Sequence, residues 1–238
     1  VSLYRDEGVV LRTIRLGEAD RIVTMVTKVH GKVRAVAKGV RKTTSKFGGR
    51  LEPLSHVAMQ CWQGRELDTV TQVEVLDSFR EIREDLVRVA KAFTLLEVVD
   101  QVAQERHANP RLYETLVGAL RALDKADSPL IVPAFCLKVL VLEGSAPMVD
   151  ECASCGAKDE LVAFDILEGG VLCRSCRRGR AISPDALELM RRILSGGVAS
   201  ALAEPASASA DELTDLVTEA MESHLDRRLR SVRSSPTG

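Results

Sequence analysis

Two CxxC pairs, Cys152-Ala-Ser-Cys155 and Cys173-Arg-Ser-Cys176, lie seventeen residues apart in a chain of 238. If the pairs act together, the chain between them must fold back on itself. Each pair presents two thiolates from one tight turn, and two such turns face to face form the tetrahedral sulfur cage that Zn²⁺ prefers. Gly156 behind the first pair and Gly169-Gly170 in the intervening hairpin candidate permit the backbone turns. Four thiolates leave no open position for water or substrate, so such a site is structural. The His-x-Glu element of a nucleobase deaminase is missing. Redox-active or inert thiols are the competing readings, and a lone CxxC would favour them far more. Arg174, Arg177, Arg178 and Arg180 can offset the net negative charge of a four-thiolate zinc or give the knuckle a basic face. Cys61 and Cys136 fall in strand and helix patterns and read as small buried side chains.

Around this insert the hydrophobic period changes. Val9-Val10-Leu11 begins one strand pattern, Arg21 to Lys28 is a second, and Lys32 to Lys38 follows the His30-Gly31 turn. Val57, Met59 and Cys61 then alternate with Ala58, Gln60 and Trp62, and Leu67 to Leu76 completes the set. Five short strands with glycine-containing turns in under eighty residues predict a small barrel. From Leu86, apolar residues recur at three and four through Val89, Ala90, Phe93, Leu96, Val99 and Ala103, which predicts a helix. Further helices open at Asn109-Pro110, run from Leu130 to Leu142 before Gly144, and open again at Ser183-Pro184. Residues 199–210 read as an Ala- and Ser-rich linker. Ser209 and Glu212 are spaced as a capping box for a last helix reaching Leu229. Only 3% of residues are aromatic, so the cores must come mainly from Leu, Val, Ile and Ala.

A formal net charge of −1 hides an uneven distribution. Residues 1–50 hold twelve Lys or Arg against four Asp or Glu, whereas the remainder holds twenty-one against thirty. The field within a Debye length of roughly 8–10 Å is what a phosphate feels, so a cationic head can bind polyanions whatever the whole-chain charge. Alternation puts Lys32, Arg34 and Lys38 on one face of their strand and Val33, Ala35 and Ala37 on the other. The following loop adds Arg41, Lys42, Lys46 and Arg50, with Phe47 and Trp62 as candidates to stack on bases. A solvated basic face, a core or loop-anchoring Phe47 and a packing Trp62 are the plainer alternatives. The dispersed array suits binding with little sequence preference, since base-edge readout needs shaped donor–acceptor pairs. No phosphate-binding GxxxxGK[ST] loop, GxSxG nucleophile turn or two-metal acidic cluster is present. No apolar run approaches the roughly 20 residues needed to cross a bilayer, and the charged N-terminus lacks a signal-peptide core, so the expected location is the cytoplasm.

The residues also resemble the bacterial RecO family of DNA recombination and repair proteins across nearly the whole chain. The resemblance rests on Tyr4-Arg-Asp-Glu-Gly-Val-Val-Leu11, Leu16-Gly-Glu-Ala-Asp-Arg-Ile-Val-Thr24, His30-Gly-Lys-Val-Arg-Ala-Val-Ala-Lys-Gly39 and Leu51-Glu-Pro-Leu54, continued by Leu112-Tyr113, Leu116 to Leu123 and both CxxC pairs. It implies an α+β multidomain protein: an N-terminal OB-fold β-barrel over 1–78 and a helical domain over 79–149 and 180–230. A four-cysteine zinc-knuckle insert occupies 150–179, and a flexible tail 231–238. It further implies a non-hydrolytic protein that binds single- and double-stranded DNA, anneals complementary strands, and works with RecR, often also RecF. Together these place RecA on DNA coated by single-strand DNA-binding protein, in association with the nucleoid during repair. Lys32, Arg34, Lys38, Arg41, Lys42, Lys46 and Arg50 are the positions that match the family's DNA-binding region. A zinc-stabilised protein-interaction scaffold is the alternative.

Overall fold

A computed structural model describes residues 2–45 and 47–231. The chain forms two compact units, one through Lys125 and the other from Ala126. In the first unit, β1 (Leu3–Leu16), β2 (Asp20–Thr27), β3 (Gly31–Ala37), β4 (His56–Trp62) and β5 (Asp68–Asp77) close into a barrel of order β1-β2-β3-β5-β4. A single 3₁₀ turn, Gly48–Leu51, lies between β3 and β4.

One long strand makes the closure possible. The first half of β1 pairs with β4 and its second half with β2, and the ladder shifts register between Val10 and Arg12. A bulge there switches which side chains face inward; Val9, Val10 and Leu11 beside it are all buried, Val10 in the barrel core. The barrel core is Val10, Val23, Met25, Val33, Ala35, Ala37, Val57, Met59, Cys61 and Val70. Inward-facing alanines on β3 leave room for the larger residues opposite, as a narrow barrel requires.

The β2–β3 turn is held by Asp6, whose side chain is nearly fully buried. Its carboxylate accepts the backbone N–H of Val29 and His30 and lies 2.6 Å from His30 Nδ1. Gly31 has φ +69°, and a Cβ there would meet the His107 carbonyl at 2.1 Å, so both its conformation and the close approach exclude a side chain.

Three helices complete this unit: α1 (Arg80–Arg83), α2 (Leu86–Val102) and α3 (Pro110–Lys125). Asp85 caps α2 by accepting the N–H groups of Val87 and Arg88, and Asn109 accepts that of Leu112 at the start of α3. Helix α2 lies against β1 and α3 against β2, covering part of the barrel's outer surface and leaving Thr24 and Val26 of β2 each 1% exposed.

The second unit contains α4 (Ile131–Leu142), β6 (Leu161–Asp165), β7 (Gly170–Cys173), β8 (Arg180–Ala181), α5 (Pro184–Leu194), α6 (Val198–Leu202) and α7 (Ala208–His224). Helices α4 and α5 pack on α7, and the three short strands form a sheet of order β7-β6-β8. Two local expectations change. Residues 199–202 of the expected linker belong to α6, which starts at Val198, with Ala201 fully buried. The last helix is capped by Ser207, which accepts the Ala210 N–H, and not by Ser209; Glu212 bonds instead to Ser183. That helix ends at His224, and Leu229 is buried beyond its end.

Candidate metal centre and nucleic-acid interface

The sequence around the four cysteines folds as two hydrogen-bonded turns brought together by a hairpin. Cys152 N–H donates to Ala157 O at 2.7 Å and Gly156 N–H to Cys152 O at 2.8 Å; Gly156 has φ +76°. The second turn starts at the end of β7, where Cys176 N–H donates to Cys173 O at 3.1 Å. Pairing of Leu161 with Cys173 and Asp165 with Gly170 fixes the hairpin between the pairs.

All four ligand sulfurs lie within 4.8 Å of one another, and Cys155 Sγ is 3.7 Å from Cys173 Sγ. A tetrahedral Zn²⁺ with Zn–S bonds of about 2.3 Å separates its sulfurs by about 3.8 Å, so the donors and their spacing fit the metal. Cys152 and Cys173 are buried beside Ala163 and Leu172, while Cys155 is exposed. The thiols themselves compete for protons. Hydrogen bonding from the Cys173 backbone, supplemented by Cys155 and Ser154, lowers Cys152 to about 6. The neighbouring Cys155 and Cys173 push Cys176 up to about 12. At Cys155 the Ala157 N–H favours the thiolate, but the Cys152 and Cys173 sulfurs help tip the balance upward. A divalent cation removes this conflict by stabilising every thiolate at once. The four cysteines thus form a structural zinc site.

Ion pairs occupy much of the basic surface near the knuckle. Arg174 lies 3.2 Å from Glu160, Arg178 pairs with Glu168, and Arg180 lies 3.2 Å from Glu219. Arg177 is exposed.

On the barrel, β3 alternates as its sequence demands, with Val33, Ala35 and Ala37 inside and Lys32 and Arg34 on the outer face. Two of its cations meet acidic partners, Asp100 in the last turn of α2 and Glu105 just after it. Lys32 Nζ donates to Asp100 O at 2.6 Å and lies 3.7 Å from its carboxylate, and Arg34 lies 3.9 Å from Glu105. Lys38, Arg41, Lys42 and Arg50 are exposed; Arg41 donates to Gly17 O at 3.3 Å. Lys46 lies outside the described residues. Phe47 is 2% exposed and packs into the barrel core with Leu51, because the 3₁₀ turn tucks this segment under the strands. Its ring is therefore unavailable for stacking in this conformation. Trp62 is 45% exposed on the outer face of β4.

Register reveals a feature that the sequence reading missed. Ile14 pairs with Ile22, Ile22 with Val36, Val36 with Thr69, Thr69 with Trp62, and Trp62 with Leu3. One outer row of mainly apolar side chains therefore crosses all five strands. At its two ends, Ile14 and Leu3 are exposed. The adjacent outward row contains Arg12, Thr24 and Arg34, while Lys38 lies two residues beyond Val36. Bases have a π-face to lay on such a row, and phosphates have cations at its border. Hydrophobic alternation hints at each member, but only the strand order and register place them side by side.

Among the described residues, no helix is long and apolar enough to cross a membrane. Family models match both parts of the chain: Recombination protein O N terminal over residues 1–79, and Recombination protein O C terminal over residues 83–233.

Proposed function

The chain belongs to the recombination protein O family, and on that premise we propose that it is a non-hydrolytic DNA repair and recombination mediator whose barrel binds DNA and whose activity is strand annealing. The outer row that includes Trp62, bordered by Arg34 and Lys38, is the observation that carries this reading. Single-stranded bases stack on Trp62 and the aliphatic row, while Lys38, Arg41, Lys42 and Arg50 neutralise phosphates. Lys32 and Arg34 contribute more weakly because Asp100 and Glu105 compete for them. Neutralisation lowers the repulsion between two polyanionic strands, and stacking holds bases unpaired until a complement arrives. Duplex DNA uses the phosphate contacts alone. The zinc knuckle maintains the second unit and takes no part in chemistry.

RecR is the proposed partner, with RecF, RecA and single-strand DNA-binding protein in the same loading reaction, in the cytoplasm at the nucleoid. The decisive experiment measures binding to single strands of unrelated sequence at several salt concentrations, using Lys38→Glu, Arg41→Glu and Lys42→Glu together. If all three groups contact phosphates, the logarithmic salt slope becomes shallower by about 2, at roughly 0.7 per contact, and annealing falls in parallel. A folded triple variant with unchanged affinity, slope and annealing would place the DNA site elsewhere. Complete absence of DNA binding by the native protein would favour the scaffold reading.

A further inference from the structure

Two arginines on the border of the apolar row are already held by carboxylates from one short segment. Arg12, Thr24 and Arg34 lie side by side on β1, β2 and β3, two residues along each strand from Ile14, Ile22 and Val36. Arg12 Nε donates to Asp100 Oδ2 at 2.7 Å, and Arg34 lies 3.9 Å from Glu105. Both arginine side chains remain open to solvent, at 44% and 39% exposure. Strand spacing puts them about 9–10 Å apart, within reach of one strand's backbone.

The backbone that carries these carboxylates is fixed. Asp100 sits in the last turn of α2, and Glu105 follows where the chain runs beside β3: Lys32 N–H donates to Gln104 O at 3.1 Å and Arg106 N–H to Lys32 O at 3.0 Å. The Arg106 guanidinium then donates to Asp68, which is fully buried. Lys32 belongs to the same tie, since its Nζ donates at 2.6 Å to the Asp100 carbonyl at the end of the helix. Yet Asp100 is incompletely partnered. Its Oδ1 is buried with no hydrogen bond among the described residues and lies 3.7 Å from Lys32 Nζ. An ion pair built for stability would satisfy that oxygen. Here a carboxylate is held half-used beside a cation that faces solvent.

We propose that Asp100 and Glu105 are built-in stand-ins for phosphate, and that Arg12 is a further DNA-contacting residue, released from Asp100 when a strand arrives. The inference rests on the DNA-binding and annealing role proposed above. A phosphate that reaches Arg12 or Arg34 must displace a carboxylate, so the barrel holds a strand less tightly than its cations alone would. As the phosphate departs, the carboxylate takes the arginine back and no bare cation is left behind. Annealing needs that exchange, because each strand must leave the protein as the duplex forms. The two carboxylates thus lower affinity and speed release.

The test compares the full-length protein with Asp100→Asn, Glu105→Gln and the two combined. Single-strand affinity and dissociation are measured at several salt concentrations, and annealing at saturating protein. Each substitution should free one arginine and steepen the logarithmic salt slope by about 0.7, and the pair by about 1.4. The affinity gained by the double variant should then shrink about sevenfold when salt rises fourfold. Dissociation and annealing should both slow. Adding Arg12→Gln should cancel the effect of Asp100→Asn and leave that of Glu105→Gln. Glu74→Gln, at an exposed carboxylate elsewhere on the barrel, controls for the general loss of negative charge and should leave the slope unchanged. If Asp100→Asn does not fold, Glu105→Gln carries the test alone, since that side chain is 57% exposed. Folded variants with native slope and dissociation would overturn the proposal, as would tighter binding with unchanged or faster annealing, or a gain no larger than that of Glu74→Gln. The preceding assignment fails differently: there the native protein does not bind DNA, or reversal of Lys38, Arg41 and Lys42 changes nothing. Here the native protein binds and only the Asp100 and Glu105 variants are silent.

Discussion

The carboxylate of Glu212 accepts two hydrogen bonds from Ser183, one from its backbone N–H at 2.8 Å and one from its hydroxyl at 2.6 Å. The same hydroxyl accepts the Ala186 N–H at 3.2 Å and so caps α5. One serine therefore joins the first turns of α5 and α7. Replacing it with Ala removes the cap and one bond to Glu212, and should cost about 1–2 kcal/mol. Hydrogen exchange of the α5 and α7 amides is the appropriate measurement, because a two-unit chain need not unfold in one step. Faster exchange confined to this unit is expected; unchanged protection would remove Ser183 from the stabilising contacts.

His56 gives the barrel unit an acid sensitivity. Its Nε2 lies 2.7 Å from Tyr113 Oη, while Nδ1 is buried with no hydrogen-bond partner among the described residues. Burial lowers the His56 pKa, Arg121 lowers it further, and Glu7 and Asp77 oppose the shift. The unfolded chain therefore takes up this proton before the folded one does. Stability from the neutral form is fully present above the ordinary His value of about 6.5 and is lost as pH falls toward the lowered folded value. Denaturant titrations followed by Trp62, the sole tryptophan, should show lower stability at pH 5 than at pH 7. His56→Gln should flatten this part of the profile; an unchanged pH dependence would assign it to other groups.

Local patterns were the legible part of the fold. The CxxC spacing reveals a metal site because each pair needs only its own turn, and the β3 alternation predicts which side faces inward. Nonlocal choices were less visible. Ser207 and Ser209 both offer caps two residues apart, and Glu212 finds its partner twenty-nine residues upstream. Phe47 sits in a basic loop, yet the 3₁₀ turn carries its ring into the core. Asp100 and Glu105 reach Lys32 and Arg34 only after α2 has folded onto the barrel. Similarly, no single strand contains the apolar row from Ile14 to Trp62, since barrel closure assembles it.

Removing zinc should loosen the hairpin selectively. Among the described residues, its four sulfurs adjoin a small cluster of buried Ala163 and Leu172 with partly buried Ala153 and Leu161, too little to form an independent core. Metal binding therefore supplies folding free energy. Chelation or Cys152→Ser should accelerate exchange over 150–181 while leaving the β1–β5 amides protected. Zinc uptake should release protons, and its affinity should fall at lower pH because the ligands are thiolates. A metal-free protein with native protection throughout the hairpin would contradict this role.

Trp62 and Phe47 provide opposite controls for DNA binding. Trp62 is 45% exposed beside Thr69 on the outer row, whereas Phe47 is 2% exposed and packs in the barrel core. Trp62→Ala should weaken single-strand binding by about 1–3 kcal/mol if a base stacks there, with little change in folding stability. Its effect on duplex binding should be smaller, because paired bases do not present their faces. Phe47→Ala should instead destabilise the barrel by about 3–5 kcal/mol, through lost burial and the cavity left behind. Any binding loss in that variant should follow the folded fraction. Melting curves and oligonucleotide titrations on the same preparations separate these effects. Equal losses of stability and affinity at Trp62 would return that side chain to packing and remove it from the DNA path.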